Sequence, residues 1–374
     1  MSLIKVKSRG TDNVTGGTSK NLIINGGQQV WQRASAATTV ANSAYSTVDR
    51  WRYYVSGGGA YTSTRSTDVP SGQGFSFSNK LDVSTADTSL AAGDYYFFRQ
   101  RIEAQNCARL AYGSSGAKTI TLSFWVKSNK TGTYTIQLYK FDNTNYVYVK
   151  EYTISSANTW EKKTITITPT AGSTSFITAS GGAIDVNNDI GLQLTFNLSG
   201  GSTYTGSTDN AWSTNSNHLM TTNQVNWMDS TSNNFYITGI QLEVGAAATD
   251  FEHRSFDAEF ELCKRYYQRI NSDAAYDYGY IAPAFSTSSA WYCPIIFDRR
   301  PLRADPTFSM SQASDFRITL QHSNSTTASS VSIAYNHNDR IMLNVQAGSN
   351  SAGNVRMFGF NGATAGWLAF SSEL

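Results

Sequence analysis

Charged side chains are scarce in this chain. Asp, Glu, Lys and Arg together make up 15% of its 374 residues, and the formal net charge is only +2. A field this weak gives no reason to expect nucleic acid as the main partner. The sequence lacks a run of about 18 apolar residues that would span a bilayer, and its first residues contain no apolar signal-peptide core. We therefore expect a soluble chain that folds in a cytoplasm.

Cysteine is rare, and the chain contains only Cys107, Cys263 and Cys293. Three thiols cannot all pair within one chain, and their wide spacing does not match a metal site. We expect three buried thiols that pack as small apolar groups.

Motifs that carry catalysis are missing as well. The four histidines form no HExxH pattern, and the sequence contains no GxSxG elbow. No spacing singles out a pair of carboxylates for acid–base chemistry, and the long repeats of a β-helix are absent. These absences predict a protein that is not an enzyme.

Aromatic and turn-forming residues are abundant instead. Aromatic side chains make up 13% of the chain, and such residues suit pleated strands, while Gly and Asn suit tight turns. Several segments alternate apolar and polar residues, which is the period of a half-buried strand. They are 119–128, 133–141, 146–154, 162–170, 190–198 and 234–244. Strands and helices do not alternate, so we expect an all-β fold, an antiparallel sandwich or jelly roll.

A second group of strand patterns follows residue 270. The segments are 291–297, 315–323, 329–337, 340–348, 353–360 and 366–374. Together they span roughly a hundred residues, which is a normal domain size. The pattern predicts a smaller β-sandwich over residues 271–374.

Residues 251–270, FEHRSFDAEFELCKRYYQRI, are dense in charge and have a helical pattern. The apolar positions follow a heptad rhythm, which suits the packing of one helix on another. They are Phe256, Phe260, Cys263, Tyr267 and Ile270. About two heptads are too short to hold a coiled coil alone. The pattern therefore favours either copies of the helix packed around a shared axis or one amphipathic helix lying on its own sandwich.

Two stretches of the chain resemble bacteriophage tail-fibre and receptor-binding proteins. NLIINGGQQVWQR (21–33), followed by STVDRWRYY (46–54), is similar to the opening of a module in that group. Residues 237–270, which begin ITGIQLEVGAAATDFEHR, are similar to the sequence that closes the module. The N-terminal IKVKSRGTDNV and the final FSSEL resemble the ends of such fibres. The resemblance extends over the whole chain and is loose in the C-terminal domain.

This resemblance implies a virion component, assembled in the host cytoplasm and usually homotrimeric. Its implied parts are an N-terminal virion attachment segment (1–20), a galactose-binding-like jelly roll (21–250), a helical trimerisation joint (251–270) and a C-terminal tip (271–374). The implied function is that of a tail fibre or spike subunit that binds a host surface glycan or protein during adsorption. Two alternatives are a head fibre or capsid decoration protein and a stand-alone carbohydrate-binding module.

Carbohydrate-binding jelly rolls often hold a structural calcium between the opening segment and the last strand, which makes Glu243 a candidate ligand. Gly27 and Gln28 stand where an acidic residue is common in such sites. The segment DVNNDIG (185–191) begins like a calcium loop, but it has Ile190 where the EF-hand pattern requires Gly. We expect no cofactor, with a structural calcium at Glu243 as the alternative.

Aromatic residues in polar loops are the candidate glycan contacts, because aromatic faces stack on the apolar C–H surfaces of sugars. The long loop 208–234 contains Trp212 and Trp227, with Asn217 and Asn226 as candidate polar partners. The alternative is that both tryptophans anchor this loop to the sandwich. That is the commoner fate of a large apolar side chain.

The C-terminal domain has its own candidate glycan contacts. They are Trp291, Tyr335, His337 and Trp367. Residues 332–341, SIAYNHNDRI, have the composition of a hairpin, and its NHND loop is a candidate receptor contact. The same composition also serves ordinary turns.

Overall fold

The computed structural model describes residues 19–272, 279–297, 301–321, 324–348, 353–362 and 366–374. Over these residues the backbone consists mainly of β-strands and loops, with one α-helix. No helix in these ranges is long and apolar enough to cross a membrane. Except for Ser19 and Lys20, the predicted attachment segment lies outside the described residues.

The first β domain contains twelve strands within the continuous stretch 19–272. In chain order they are β1 (Thr38–Thr39), β2 (Arg52–Ser56), β3 (Ala60–Ser66), β4 (Ser78–Thr85), β5 (Tyr95–Glu103), β6 (Ile120–Ser128), β7 (Gly132–Lys140), β8 (Tyr146–Ile154), β9 (Glu161–Ile167), β10 (Ile190–Gly200), β11 (Ala211–Ser213) and β12 (Asn234–Val244). Short 3-10 helices lie in the connections, at Ala104–Leu110, Ala171–Ser173, Ser180–Gly182 and Trp227–Asp229.

These strands form two six-stranded sheets that pack face to face. The first sheet has the order β1-β3-β4-β12-β6-β9, and the second has the order β11-β8-β7-β10-β5-β2. Neighbouring strands are antiparallel in both sheets. The prediction of an all-β jelly-roll sandwich is confirmed.

The core between the two sheets is built from aromatic rings. Trp51, Phe98, Phe124 and Phe196 are all fully buried there. Phe98 and Phe196 lie opposite each other on β5 and β10, and their ring centroids are 5.3 Å apart. Burial of such large apolar surfaces is the main favourable term in folding.

The opening segment lies against the last strand of the jelly roll. Leu22 donates its N–H to the carbonyl of Leu242 (2.9 Å), and Ile240 donates to the carbonyl of Gly26 (3.0 Å). A Cβ at Gly26 would lie 2.1 Å from the Ile240 oxygen, so only glycine allows this approach. The segment therefore passes close alongside β12.

Asn25 fixes the turn that follows. Its side-chain oxygen accepts hydrogen bonds from the N–H groups of Gln29 (2.8 Å) and Val30 (3.0 Å). Its side-chain amide donates to the carbonyls of Val30 (2.9 Å) and Asp49 (3.1 Å). The backbone N–H of Asn25 donates to the carboxylate of Glu259 (2.5 Å). One asparagine thus connects the opening segment to both the jelly roll and the helix.

The helix predicted over residues 251–270 is shorter than expected. The helix α1 (Phe256–Lys264) is followed by a strand, β13 (Tyr267–Asn271). Tyr267 and Ile270 therefore belong to a strand and do not continue a helical seam. The strand forms because β13 pairs with the last strand of the C-terminal domain, and such tertiary pairing overrides a weak helical preference.

The helix α1 packs against its own jelly roll. Ser255 caps its N-terminus by accepting a hydrogen bond from the backbone, and Glu259 and Cys263 are buried. Phe256 is 55% exposed, and its ring stacks on the half-buried Phe260 at 5.7 Å. This arrangement matches the alternative of one helix on its own sandwich. Trimerisation through Phe256 and Phe260 stays a prediction.

The C-terminal domain begins at β13, slightly before the predicted boundary at residue 271. Its further strands are β14 (Tyr280–Ser286), β15 (Trp291–Ile296), β16 (Thr307–Met310), β17 (Phe316–Gln321), β18 (Asn324–Thr327), β19 (Ser330–Asn336), β20 (Arg340–Gln346), β21 (Val355–Phe360) and β22 (Trp367–Ser371). A 3-10 turn at Ala313–Asp315 precedes β17. Among the described residues, one sheet has the order β13-β22-β16 and the other has the order β18-β17-β21-β14-β15-β20-β19. Both contribute to one hydrophobic cluster, which confirms a second, smaller β-sandwich.

Buried charges join the two domains, and we call this contact the junction. The carboxylate of Glu373, near the C-terminus, accepts hydrogen bonds from Arg33 (3.1 Å) and Arg50 of the jelly roll. The guanidinium of Arg50 also lies over the ring of Tyr266, 3.4 Å from its centroid. Burial alone would lower the pKa of Arg50, but the charge of Glu373 raises it, so the arginine stays charged. The last residues of the chain thus return to the first domain.

A second buried carboxylate strengthens the junction. Glu103, at the end of β5, accepts two hydrogen bonds from Arg265 (2.7 and 2.8 Å) and one from the hydroxyl of Tyr266 (2.5 Å). Burial alone would raise the pKa of Glu103, but these hydrogen bonds lower it below its ordinary value. The residues that follow α1 are therefore fixed to the jelly roll.

Glu373→Ala should destabilise the protein by about 3–5 kcal/mol, because the buried guanidinium of Arg50 would lose its carboxylate partner and that of Arg33 would keep only Asp49. The matched control is Glu261→Ala, which removes a half-exposed ion pair with Lys264 on α1 and should cost less than about 1 kcal/mol. Unfolding by urea measures both values. Equal losses in the two variants would show that the Glu373 contacts do not hold the junction.

The lowered pKa of Glu103 predicts a dependence of stability on pH. A carboxylate with a depressed pKa stabilises the folded state above its unfolded pKa of about 4.3, and this contribution is lost as the pH falls toward the folded pKa. Glu103→Gln should therefore cost about 1–3 kcal/mol at neutral pH and progressively less below about pH 4. Urea unfolding at several pH values tests this, and a loss that does not change with pH would contradict it.

Candidate functional site

The described part of the C-terminal domain contains a pocket of about 330 Å³, which we call the tip pocket. It lies where β15, β20 and the edge strand β19 meet. Pro294, Met342 and Tyr335 are successive neighbours across these strands, and Ile296 lies opposite Arg340. Residues opposite each other on adjacent strands share a face of the sheet. The register therefore brings these side chains onto one surface.

Two large apolar side chains of the tip pocket face solvent. Ile296 is 76% exposed and Tyr335 is 72% exposed. Neither is needed for the core, which is formed by the alternate residues of the same strands, such as Ile295 and Leu343. An exposed apolar patch with polar neighbours is typical of a binding surface.

Polar groups surround this apolar surface. The imidazole Nδ1 of His337 lies 2.6 Å from a carboxylate oxygen of Asp339, and Arg340 lies 3.5 Å from the same oxygen. The hydrogen bond with His337 and the charge of Arg340 lower the pKa of Asp339 below its ordinary value. The side-chain amide of Asn336 donates to the carbonyl of Pro306 (2.8 Å), which fixes the end of β19. The tip pocket thus offers an aromatic face together with donors and acceptors.

The structure brings together two of the four predicted tip residues. Tyr335 and His337 both line the tip pocket, as the predicted hairpin of residues 332–341 would place them. The prediction that Trp291 contacts a glycan is wrong, because its side chain is only 3% exposed and packs in the core of the domain. Trp367 is half-buried on the other sheet, where the guanidinium of Arg269 lies 4.7 Å from its ring centroid.

The candidate tryptophans of the long loop are buried in the jelly roll. Trp212 is 3% exposed and donates its indole N–H to the carbonyl of Thr168 (2.9 Å). Trp227 is fully buried and donates its indole N–H to the carbonyl of Asn234 (3.1 Å). The hypothesis that these rings stack on a glycan is therefore wrong, because neither ring face is accessible. Both anchor the loop, as the alternative predicted.

Asn226 and Asn217, the candidate polar partners of these tryptophans, lie in different surroundings. Asn226 accepts hydrogen bonds from Ser199 (2.9 Å) and from the N–H of Met228 (3.0 Å), and it donates to the carbonyl of Asp87 (2.8 Å). Its side chain is fully engaged within the chain. Asn217 lies exposed in a turn, and its role in binding stays a prediction.

Residues 201–226, which overlap the first part of this loop, cover part of the outer face of the second jelly-roll sheet, and we call them the strap. The amide of Asn197 donates to the carbonyl of Leu219 (2.7 Å), and the amide of Gln137 donates to the carbonyl of His218 (2.7 Å). Both strand residues are fully buried although they point away from the core. The strap therefore supplies hydrogen-bond partners to polar side chains that would otherwise face solvent.

Glu243, the candidate calcium ligand, is engaged within the chain. Its carboxylate accepts hydrogen bonds from Gln241 (2.9 Å) and from the backbone and hydroxyl of Thr249 (2.9 and 2.7 Å). Across the described ranges, no three His, Cys, Asp or Glu side chains cluster as a metal site. The segment 185–191 contacts the C-terminal domain, where Asn188 donates to the carbonyl of Arg303 (2.8 Å).

Sequence reasoning missed several residues that form the tip pocket, notably Pro294, Ile296 and Arg340. A signal for two of them was present in WYCPIIF (291–297). Alternate residues of a strand face opposite sides, so burial of Cys293 and Ile295 places Pro294 and Ile296 on the outer face. When apolar residues lie on both faces of a strand at one end of a sheet, they indicate that the outer face is a functional surface.

Comparison with known proteins gives no family for this chain. No family model matches it, and no curated protein matches it. Among solved structures, it is similar to the enzymatically active domain of tailspike protein 4 from bacteriophage CBA120, with 14% identity and a TM-score of 0.29. That match covers 60% of this chain and 22% of the tailspike chain, so this chain spans about a fifth of that protein's length.

Carbohydrate-binding modules are also among the similar structures. A CBM4 module matches with 14% identity and a TM-score of 0.28, over 61% of this chain and 100% of the module. A family 11 module of a Clostridium thermocellum cellulase matches with 14% identity and a TM-score of 0.27, over 57% of this chain and 98% of the module. At such low scores, these similarities assign neither a ligand nor a function.

Proposed function

We propose that this chain is a subunit of a bacteriophage tail fibre or spike, a non-catalytic virion protein that binds a host surface glycan during adsorption. The observation that carries the proposal is the tip pocket, where Tyr335 and Ile296 present apolar surface to solvent. His337, Asp339 and Arg340 supply hydrogen-bonding groups beside it. An open aromatic ring with polar neighbours is suited to hold the apolar face and the hydroxyls of a sugar.

The junction supports the same proposal. The stretches that resemble phage fibres, residues 21–54 and 237–270, supply Arg33 and Arg50 on one side and Arg265 on the other. The resemblance therefore falls on residues that hold the two domains together. A rigid joint between a base domain and a tip is a mechanical requirement of a fibre that presents a receptor site.

Three copies of the chain would make weak sites effective. Linked sites raise the apparent affinity without any new contact, provided that the geometry lets them bind together. We place the trimer contact at α1, where the stacked rings of Phe256 and Phe260 leave apolar surface exposed. Residues 1–20 would attach the trimer to another virion protein.

The purified chain should have a solution mass of three times its 40.9 kDa. Phe260→Asp should reduce the mass to that of a monomer, because three charges would be buried together at a shared axis. Light scattering measures the mass, and circular dichroism checks that both domains stay folded. The matched control is Phe285→Asp, at a 47% exposed phenylalanine of β14. A trimeric Phe260→Asp variant would show that α1 is not the trimer contact.

Saturating purified protein should block adsorption of the phage that carries it. Tyr335→Ala should weaken this competition by about tenfold or more, which is the effect of removing a dominant aromatic contact. The control is Tyr280→Ala, at a 54% exposed tyrosine that lies outside the tip pocket, and it should compete like the unmodified protein.

Each other outcome of this assay counts against the proposal. Equal competition by Tyr335→Ala would show that the tip pocket is not the receptor site. Failure of the unmodified protein to compete would contradict host attachment by this chain. It would favour a head fibre or decoration protein, or a stand-alone carbohydrate-binding module if the protein still binds glycans.

A further inference from the structure

Three arginines lie close together on the outer face of the second jelly-roll sheet. Arg52 on β2 is the direct cross-strand neighbour of Arg99 on β5. Arg101 follows two residues later on β5 and therefore points to the same side. Like charges directly opposite each other in a sheet are destabilising. The fold thus carries an electrostatic cost at this position.

In the part of the chain that the structure describes, the hydrogen bonds of these three guanidiniums go to neutral groups. Arg52 donates to the carbonyl and hydroxyl oxygens of Ser43 (3.0 and 2.8 Å), Arg99 donates to the hydroxyl of Tyr54, and Arg101 donates to the side-chain oxygen of Gln193 (3.2 Å). Within the described ranges, none of the three forms an ion pair with a carboxylate. The Nε of Arg99 is buried and has no hydrogen-bond partner.

This crowding disfavours the charged forms. Burial and the charge of Arg101 lower the pKa of Arg99 to about 10. Burial likewise lowers the pKa of Arg101. Arg33 and Arg50 differ from Arg99 and Arg101 because each has the carboxylate of Glu373 as a partner. An anion placed between Arg99 and Arg101 would supply what those two lack.

The neighbouring side chains suit a sugar. Across the sheet, Arg101 is followed by Gln193 on β10 and then by Tyr139 on β7. The half-buried ring of Tyr139 stacks on that of Phe141, with centroids 4.2 Å apart. This row lies beside the part of the sheet that the strap covers at Gln137. It is a bounded patch with charge at one end and an aromatic ring at the other.

We propose that this patch binds an acidic saccharide, with its carboxylate between Arg99 and Arg101 and its sugar ring against Tyr139. The forked guanidinium matches a carboxylate with two parallel hydrogen bonds, and such charge-assisted bonds are about twice as strong as neutral ones. The saccharide part rests on the proposed glycan-binding function, whereas the anion part rests on the arginines alone. The site lies on the jelly roll and is separate from the tip pocket.

Calorimetric titration of the full chain with trigalacturonate tests the proposal. The same trisaccharide as its methyl ester is the uncharged control ligand. Trigalacturonate should bind at millimolar concentration or below, and the ester should bind at least about tenfold more weakly, because the charged hydrogen bonds are lost. Arg99→Gln and Arg101→Gln should each weaken binding of the acid by a similar factor.

Arg65→Gln is the matched control variant, because it removes one exposed positive charge on the other jelly-roll sheet. It should bind trigalacturonate like the unmodified chain. Arg99→Gln should melt at the same temperature as the unmodified chain or higher, because it relieves repulsion between like charges. Lost binding with an unchanged melting temperature separates a ligand contact from a structural role.

Several outcomes would overturn the proposal. The acidic-saccharide site is contradicted if trigalacturonate does not bind or if its ester binds equally well. It is also contradicted if Arg65→Gln loses as much binding as Arg99→Gln. If inorganic phosphate competes at equal concentration, the patch is a general anion site, and the saccharide part of the proposal is contradicted. The adsorption assay depends on Tyr335 and not on these arginines. If trigalacturonate does not bind but the protein still blocks phage adsorption, the proposed function stands and only the acidic-saccharide site is contradicted.

Discussion

The carboxylate of Glu373 is buried between Arg33 and Arg50, and the placement of one β domain on the other depends on it. Buried charges are costly unless each has a partner. The segment around Glu373 therefore cannot leave the jelly roll without depriving Arg50 of its carboxylate and Arg33 of one of its two carboxylate partners. Glu103 repeats the arrangement with Arg265. Because charges need particular geometry, such contacts specify one orientation of the domains more sharply than an apolar interface would.

Much of the fold could be predicted from periodicity. The sequences of β6 to β10 alternate apolar and polar residues, which predicts strands with one face on the core and the other face in water. The strap contradicts that second expectation, since Asn197 and Gln137 are buried on the outer side. The end of the helix could not be predicted, because the pairing of β13 with β22 is long-range. Strand β5, YYFFRQRIE, has apolar residues on both faces, which hides its period.

The candidate site shows the same limit. Tyr335 and His337 could be predicted because a hairpin turn at the end of a sheet places its neighbours near solvent. Trp212 and Trp227 could not be assigned from the sequence, because their exposure depends on where a long loop lies in three dimensions. Ile296 and the three arginines of β2 and β5 were missed for another reason. Their significance lies in cross-strand neighbours, which a linear pattern does not reveal.

The path of the opening segment has a mechanical consequence. Ser19 and Asn21 bond to Glu252, so the chain enters the jelly roll beside the point where it leaves. The chain between Asn21 and Glu252 therefore forms a loop whose two ends are joined. A pull between Ser19 and the C-terminal domain would load the contacts of Glu252 and Glu259 with the opening segment together with the junction. While those contacts hold, they carry part of the force in place of the strands between them.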